Sequence, residues 1–166
     1  FPNDDPRKSM NLFGDRYNGH VLFGKVRSRN TGQMSSEFYS RKFSSIDVPQ
    51  IVRKSNEYNY RVIRYSDVLL MHAEAAYHKG LEAEARDKVN EVRTRARNST
   101  YAMGFSLTGA DVYDPFVNPG VADLDGTFTG QSLLDAIWTE RRLELALEGY
   151  SSWDLIRTGR YVDAME

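Results

Sequence analysis

SLLDAIWTERRLELALEGYSSWDLIRTGR, residues 132–160, is the most strongly patterned stretch of the chain. Ser132 followed three residues later by Asp135 is a capping-box signature, in which side-chain oxygens satisfy the first free amides. A helix is therefore expected to begin at Leu133 and to end at Gly149, a residue that tolerates a left-handed backbone. At about 100° per residue, Leu133, Ile137, Glu140, Glu144, Leu147 and Glu148 fall on one side of this helix, so the apolar stripe carries three carboxylates. A bare carboxylate in a low-dielectric contact is unfavourable, and each should meet a cation or several donors. Arg141 and Arg142 lie in the helix, and Arg157 and Arg160 follow it. The expected structural ion-pair network comprises Arg64, Glu140, Arg141, Glu144, Glu148 and Arg157. A further short helix is expected over residues 153–158.

Two helices upstream share this clarity. The first is expected from Ser66 or Asp67, either able to act as N-cap, to Lys79, with Gly80 as its stop. Val68, Leu69, Leu70, Met71, Ala73, Ala75, Ala76 and Tyr77 leave it almost no polar face, so it should be surrounded by protein. The second, over residues 82–97, places Leu81, Ala85, Val89, Val92 and Ala96 in one narrow stripe, and Arg93, Arg95 and Arg97 read as a solvated helix end. Small residues at Ala73 and Ala85 suit a close antiparallel approach, as in a tetratricopeptide unit.

The expected fold is mainly all-α, a tetratricopeptide-like helical repeat scaffold with long irregular loops. Residues 1–57 read as an irregular wrapping segment in which Val21-Leu22-Phe23 and Phe38-Tyr39 are short strands or loop anchors. Residues 58–97 hold the helix pair, 98–131 a loop insertion, and 132–160 the last helix and its short successor. Two units are fewer than the roughly three that a repeat array needs to bury a continuous core, which points to a missing N-terminal half.

The chain has 166 residues, 40% of them hydrophobic and 27% charged, enough for one globular domain. A net charge of −1 argues against nucleic acid or an acidic membrane surface as electrostatic partner. With no cysteine, disulfides and thiolate metal sites are excluded. No apolar run approaches the roughly 18 residues that span a bilayer, and no signal peptide is present.

Three blocks carry a resemblance. Glu140-Arg141-Arg142, Glu144-Leu145-Ala146, Glu148-Gly149 and the run from Trp153 through Asp154, Arg157 and Gly159 to Arg160 resemble the C-terminal signature of the SusD/RagB family, outer-membrane nutrient-binding lipoproteins. The run from Val62 through Arg64, Tyr65 and Asp67 to Ala75 resembles that family's arginine-tyrosine-alanine-aspartate helix start, and Val89-Asn90-Glu91-Val92-Arg93 its next helix. Asp5-Pro6-Arg7 is a weaker third match. One departure is that Ser151 and Ser152 stand where the family usually places an arginine and a second aromatic. The resemblance implies the C-terminal portion of a longer protein with its lipid anchor at an N-terminus absent from this chain. It implies cell-surface binding of a nutrient, with oligosaccharide the expected ligand, and hand-over to a SusC-like TonB-dependent outer-membrane transporter. No cofactor and no enzymatic activity are expected.

Several residues admit a second reading. Glu140 and Glu144, one turn apart, could be a glycosidase pair, but flanking arginines favour structural carboxylates. His72, Glu74 and His78 lack the i, i+4 spacing of two ligands on one helical face, so a packed His72 and a surface His78 are expected and no metal. Asp123-Leu124-Asp125-Gly126 faintly resembles a calcium loop, with its glycine too early and the distal glutamate lacking. Trp138 and Trp153 read as core. Sugars stack their C–H faces on aromatic rings and reach polar side chains with their hydroxyls. On that ground the aromatic-rich insertion supplies the candidate ligand contacts, Tyr101, Phe105, Asp111, Tyr113, Asp114, Phe116 and Asn118. The alternatives to nutrient binding are a tetratricopeptide-like scaffold for a protein or peptide and a carboxylate-dependent glycoside hydrolase.

Overall fold

The structure is a computed structural model that describes residues 5–14, 21–22, 25–26, 38–40, 42, 61–98, 105–106 and 121–165. It is mainly α-helical. The elements are α1 (Pro6–Asn11), β1 (Leu12–Gly14), β2 (Val21–Leu22), β3 (Lys25–Val26), β4 (Phe38–Ser40), α2 (Tyr65–His78), α3 (Glu82–Asn98), β5 (Phe105–Ser106), α4 (Gly130–Glu144) and α5 (Tyr150–Arg157). The strands are short. β1 pairs antiparallel with β4, Phe13 opposite Tyr39, and β2 is flanked antiparallel by β3 and β5, with Leu22 opposite both Lys25 and Phe105. Both apolar clusters of the first 57 residues therefore contribute to strands, and β5 joins the insertion to that segment.

α2 begins at Tyr65, earlier than its cap candidates suggest. Arg64 is the N-cap and makes no side-chain cap bond; Asp67 is buried inside the first turn and is taken by an ion pair with Arg141, while Ser66 accepts from Arg64. A distant cation has outcompeted the local backbone amides for the Asp67 carboxylate. The other end follows the sequence: Gly80 has φ +76°, its N–H donates to the Tyr77 carbonyl at 2.9 Å, and the Leu81 N–H donates to the Ala76 carbonyl at 2.9 Å. This is the Schellman arrangement that closes a helix on glycine.

Ala85, Val89, Val92 and Ala96 form the buried stripe of α3, while Leu81, ahead of the helix, is exposed. α2 packs along α3, and α4 packs against both. The core unites Leu70, Ala73 and Ala76 of α2, Ala85, Val89 and Val92 of α3, and Leu133 and Ile137 of α4, with Leu124 closing one side. α2 is not covered all round, since Tyr65, Val68 and Met71 are exposed.

α4 starts three residues before the expected Leu133. Thr129 is its N-cap, its N–H donating to Ser132 Oγ at 3.1 Å, and the Ser132 hydroxyl donates to the Thr129 carbonyl at 2.8 Å. Ser132 is thus the third residue of the helix, and Asp135 instead accepts from Gln131 at 2.9 Å. The helix also stops one turn early, at Glu144. Lys42 Nζ donates to the carbonyls of Glu144 and Ala146 at 2.9 and 3.1 Å, and Arg64 Nη2 to that of Glu144 at 2.6 Å, so cations take the carbonyls of its last turn. Leu147 at φ +68° and Gly149 at φ +87° then reverse the chain into α5, which starts at Tyr150 rather than Trp153.

The polar face of α3 holds the segment leading into α4. Asn90 donates to the Leu124 carbonyl at 2.9 Å and accepts the Leu124 N–H at 2.7 Å. Arg86 reaches the Phe128 carbonyl at 2.9 Å, Arg93 the Ala122 carbonyl at 2.8 Å, and Arg97 the Val121 carbonyl at 2.7 Å and Asp123 at 2.6 Å. The arginine run is therefore not a solvated helix end. Asp123 is spent on Arg97, and Asp125 accepts the Thr127 N–H at 2.8 Å.

The two alanines, Ala73 and Ala85, are fully buried in the shared core. Ala85→Leu inserts methylenes where no room exists and is expected to destabilise the chain by about 1–3 kcal/mol, read as a lower melting temperature. An unchanged melting temperature would mean that α2 and α3 do not pack through this residue.

Candidate functional site

The charged residues of α4 converge on two connected clusters. In the first, Glu140 is 0% and Glu144 2% exposed. Arg7, 3% exposed, donates from Nη1 to Glu140 and, at 3.3 Å, to Glu144, while its Nε and Nη2 engage Asp5. Arg93 Nε completes Glu140 at 2.9 Å. Glu144 also accepts from Arg64 Nη1 and from Arg95 Nη2, both at 2.6 Å. Arg64 Nε forks onto both oxygens of Glu148 at 2.9 Å, and Lys42 pairs with the same carboxylate.

Burial by itself would raise the Glu144 pKa, but the positive charges of Arg95, Arg64 and Arg7 outweigh it and hold this carboxyl below its ordinary range. Burial likewise opposes the charge on Arg64 and Arg7, yet hydrogen bonds and attraction from their carboxylates raise both above the usual guanidinium value. For Lys42 burial wins, and its pKa is lowered despite Glu148.

The second cluster joins α2, α4 and α5. Arg141 donates from Nη1 to Asp67 at 2.9 Å and from Nε to Asp154 at 3.0 Å. Arg157 donates to Glu74 through Nη1 and Nη2, each at 2.7 Å, and from Nε to Asp154 at 2.7 Å. The Trp138 indole N–H donates to Glu74 at 3.0 Å, and the Arg160 guanidinium carbon lies 4.0 Å above the Trp138 ring. Burial would raise the Glu74 pKa; the hydrogen bonds from Arg157 and Trp138 lower it below the ordinary value.

Arg64, Glu144 and Glu148 thus meet in one cluster, with Glu140 joined to them through Arg7, whereas Arg141 and Arg157 serve Asp67, Asp154 and Glu74 instead. Sequence reasoning missed Asp5, Arg7, Lys42, Asp67, Glu74, Arg93, Arg95 and Asp154. The Asp5-Pro6-Arg7 block and the spacing of Arg93 and Arg95 were the available signals. Trp153 is 71% exposed and not core, because the earlier start of α5 turns Ser151, Asp154 and Leu155 toward α4 and Trp153 away. His72 is exposed rather than packed, with Nε2 2.8 Å from Glu84. Of the candidate ligand residues, Phe105 lies in β5 opposite Leu22, while Tyr101, Asp111, Tyr113, Asp114, Phe116 and Asn118 lie outside the described residues. Among the described residues, no group of three His, Asp or Glu side chains is arranged to hold a metal.

Where α5 folds back on α4, a cleft of about 70 Å³ opens between Trp138, Thr139, Arg142, Ser151 and Arg160, with Arg141 and Asp154 also on its wall. Both arginine clusters bear on stability. Glu144→Gln leaves three guanidiniums around a neutral amide and is expected to cost on the order of 3 kcal/mol at neutral pH. Because Glu144 and Glu74 titrate below their ordinary range when folded, their stabilisation is complete above the unfolded value near ~4.3 and is lost as pH falls through the lower folded values. The melting temperature should therefore fall on acidification below about pH 4, and Glu144→Gln should flatten that slope. Thermal melts across pH test both statements; a variant as stable and as acid-sensitive as the parent would contradict them.

The SusD family model matches the chain over residues 9–165. SusD-like protein P38 of Formosa agariphila is 32% identical over 135 residues, covering 81% of this chain and 23% of that protein. SusD-like protein P25 of the same organism is 29% identical over 166 residues, covering 100% of this chain and 25% of that protein. The chain thus spans about a quarter of the length of the curated relatives it matches. No solved structure matches it significantly. The match takes in the α2, α3 and α4 residues that build both arginine clusters, and the chain belongs to the SusD family.

Proposed function

We propose that this chain is part of a cell-surface nutrient-binding protein that captures an oligosaccharide and hands it to a SusC-like TonB-dependent outer-membrane transporter, making and breaking no bond. The observation that carries this reading is the family match over residues 9–165. Attachment to the outer membrane is through a lipid anchor; among the described residues no helix is long and apolar enough to cross a membrane. The state of the carboxylates supports binding over hydrolysis. Glu140 and Glu144 are buried and engaged by Arg7, Arg93, Arg64 and Arg95, which leaves neither carboxylate facing an open cleft as acid–base catalysis requires.

Sugar contacts come from the insertion, with Tyr101, Phe105, Tyr113 and Phe116 stacking on pyranose faces and Asp111, Asp114 and Asn118 meeting hydroxyls. Such a site gives a Kd of roughly micromolar to millimolar, weak enough to release cargo to a transporter. A tetratricopeptide-like scaffold for a protein or peptide is the second reading, favoured by the apolar strip of Tyr65, Val68 and Met71 exposed on α2.

Replacing Tyr101 and Tyr113 by alanine in the whole protein is expected to weaken glycan binding at least about tenfold without lowering the melting temperature. Calorimetric titration against oligosaccharides measures it. Unchanged glycan affinity would remove the insertion from the site, and a folded protein that binds its transporter but no glycan would favour the scaffold.

A further inference from the structure

Most arginines among the described residues have a carboxylate or carbonyl partner. Among the described residues only Arg61, Arg142 and Arg160 lack a carboxylate or carbonyl partner, and Arg142 and Arg160 meet at the cleft between α4 and α5. Among the described residues Arg142 finds no hydrogen-bond or ion-pair partner. Arg160 donates from Nε to Thr158 Oγ1 at 2.9 Å and stacks on Trp138, which leaves its terminal nitrogens without an acceptor. The buried Arg141, 5% exposed, also lines it; Nε and Nη1 are bonded, and among the described residues no acceptor meets Nη2. Asp154 is the opposing charge on the wall, and it is neutralised by Arg141 and Arg157. Three arginines therefore line the cleft against one compensated carboxylate, with Thr139 and Ser151 beside them.

We propose that this cleft is an oxyanion subsite that takes the carboxylate or sulfate group of an acidic saccharide. Guanidinium groups present paired N–H donors whose spacing matches two oxygens of a carboxylate or sulfate, and such charge-assisted bonds are stronger than neutral ones. The Trp138 ring is fixed by Glu74 on its edge and holds Arg160 over its face, so that cation is pre-positioned. A volume of about 70 Å³ suits one substituent and not a sugar ring, which places the ring itself outside the cleft. The proposal rests on the saccharide-binding reading and narrows it to acidic ligands.

The test is a glycan array carrying uronate- or sulfate-bearing oligosaccharides beside their carboxyl-reduced or desulfated counterparts, probed with the whole protein. Charged members should bind at least about tenfold better than their neutral counterparts, and rising sodium chloride should erode that preference. Arg142→Gln, at an exposed position, should reduce the preference about tenfold with an unchanged melting temperature, Arg160→Gln should reduce it as well, and Arg61→Gln should not. Equal binding of charged and neutral members, insensitive to Arg142→Gln, overturns the subsite and leaves saccharide capture standing. No binding to any glycan overturns both. Inorganic sulfate competing as well as the acidic glycan, mole for mole, marks a free-anion site and overturns the saccharide assignment.

Discussion

The Glu144 carboxylate accepts from Arg7, Arg64 and Arg95, and among the described residues no other carboxylate joins so many elements. Each arginine comes from a different element: the short α1, the residue that caps α2, and the last turn of α3. A carboxylate 2% exposed is tolerated only while such partners surround it. The same cations that neutralise it also determine where α4 stops, since Arg64 and Lys42 bind the carbonyls at its end. One charge thus sets the position of four segments and the length of a helix.

Such a hub is assembled from remote parts. Arg7 and Glu144 are separated by 137 residues, so their contact requires a large loop to close before it returns any stabilisation. Until then both groups remain hydrated and contribute nothing to compaction. The apolar stripes of α2 and α3, joined by a three-residue turn, carry no such requirement and are the natural place for structure to start.

What was legible in the sequence follows the same divide between local and remote. The three long helices, the glycine stop after α2 and the buried Ala85, Val89, Val92 and Ala96 stripe are encoded within a few turns, and periodicity reads them. Charge partners were not legible to the same extent. Asp67 looked like a cap because capping is a local rule, and an arginine 74 residues away overrode it. Arg93 and Arg97 looked solvated because their charged and carbonyl acceptors are remote in sequence: the carboxylates of Glu140 and Asp123, and backbone carbonyls of a segment that has no pattern of its own. The cleft was invisible for a further reason. It exists because Leu147 adopts φ +68° and turns α5 back on α4, a conformation that a leucine does not advertise.

Asn90 and the arginines on its face of α3 act on a segment that follows the aromatic insertion. By gripping the backbone of Val121, Ala122, Leu124 and Phe128, they fix where the chain re-enters the helical body whatever precedes it. The end of α3 fixes the point of departure. Between two such moorings, lengthening a loop is thermodynamically mild, each doubling costing only about 0.6 kcal/mol. The grip is made almost entirely to main-chain atoms, so it is indifferent to which side chains pass through it. Within the stretch between these moorings β5 is a third hold, through its pairing with β2, so a graft of different length on the Val121 side of β5 that keeps this pairing should leave α4 and its buried charges in register.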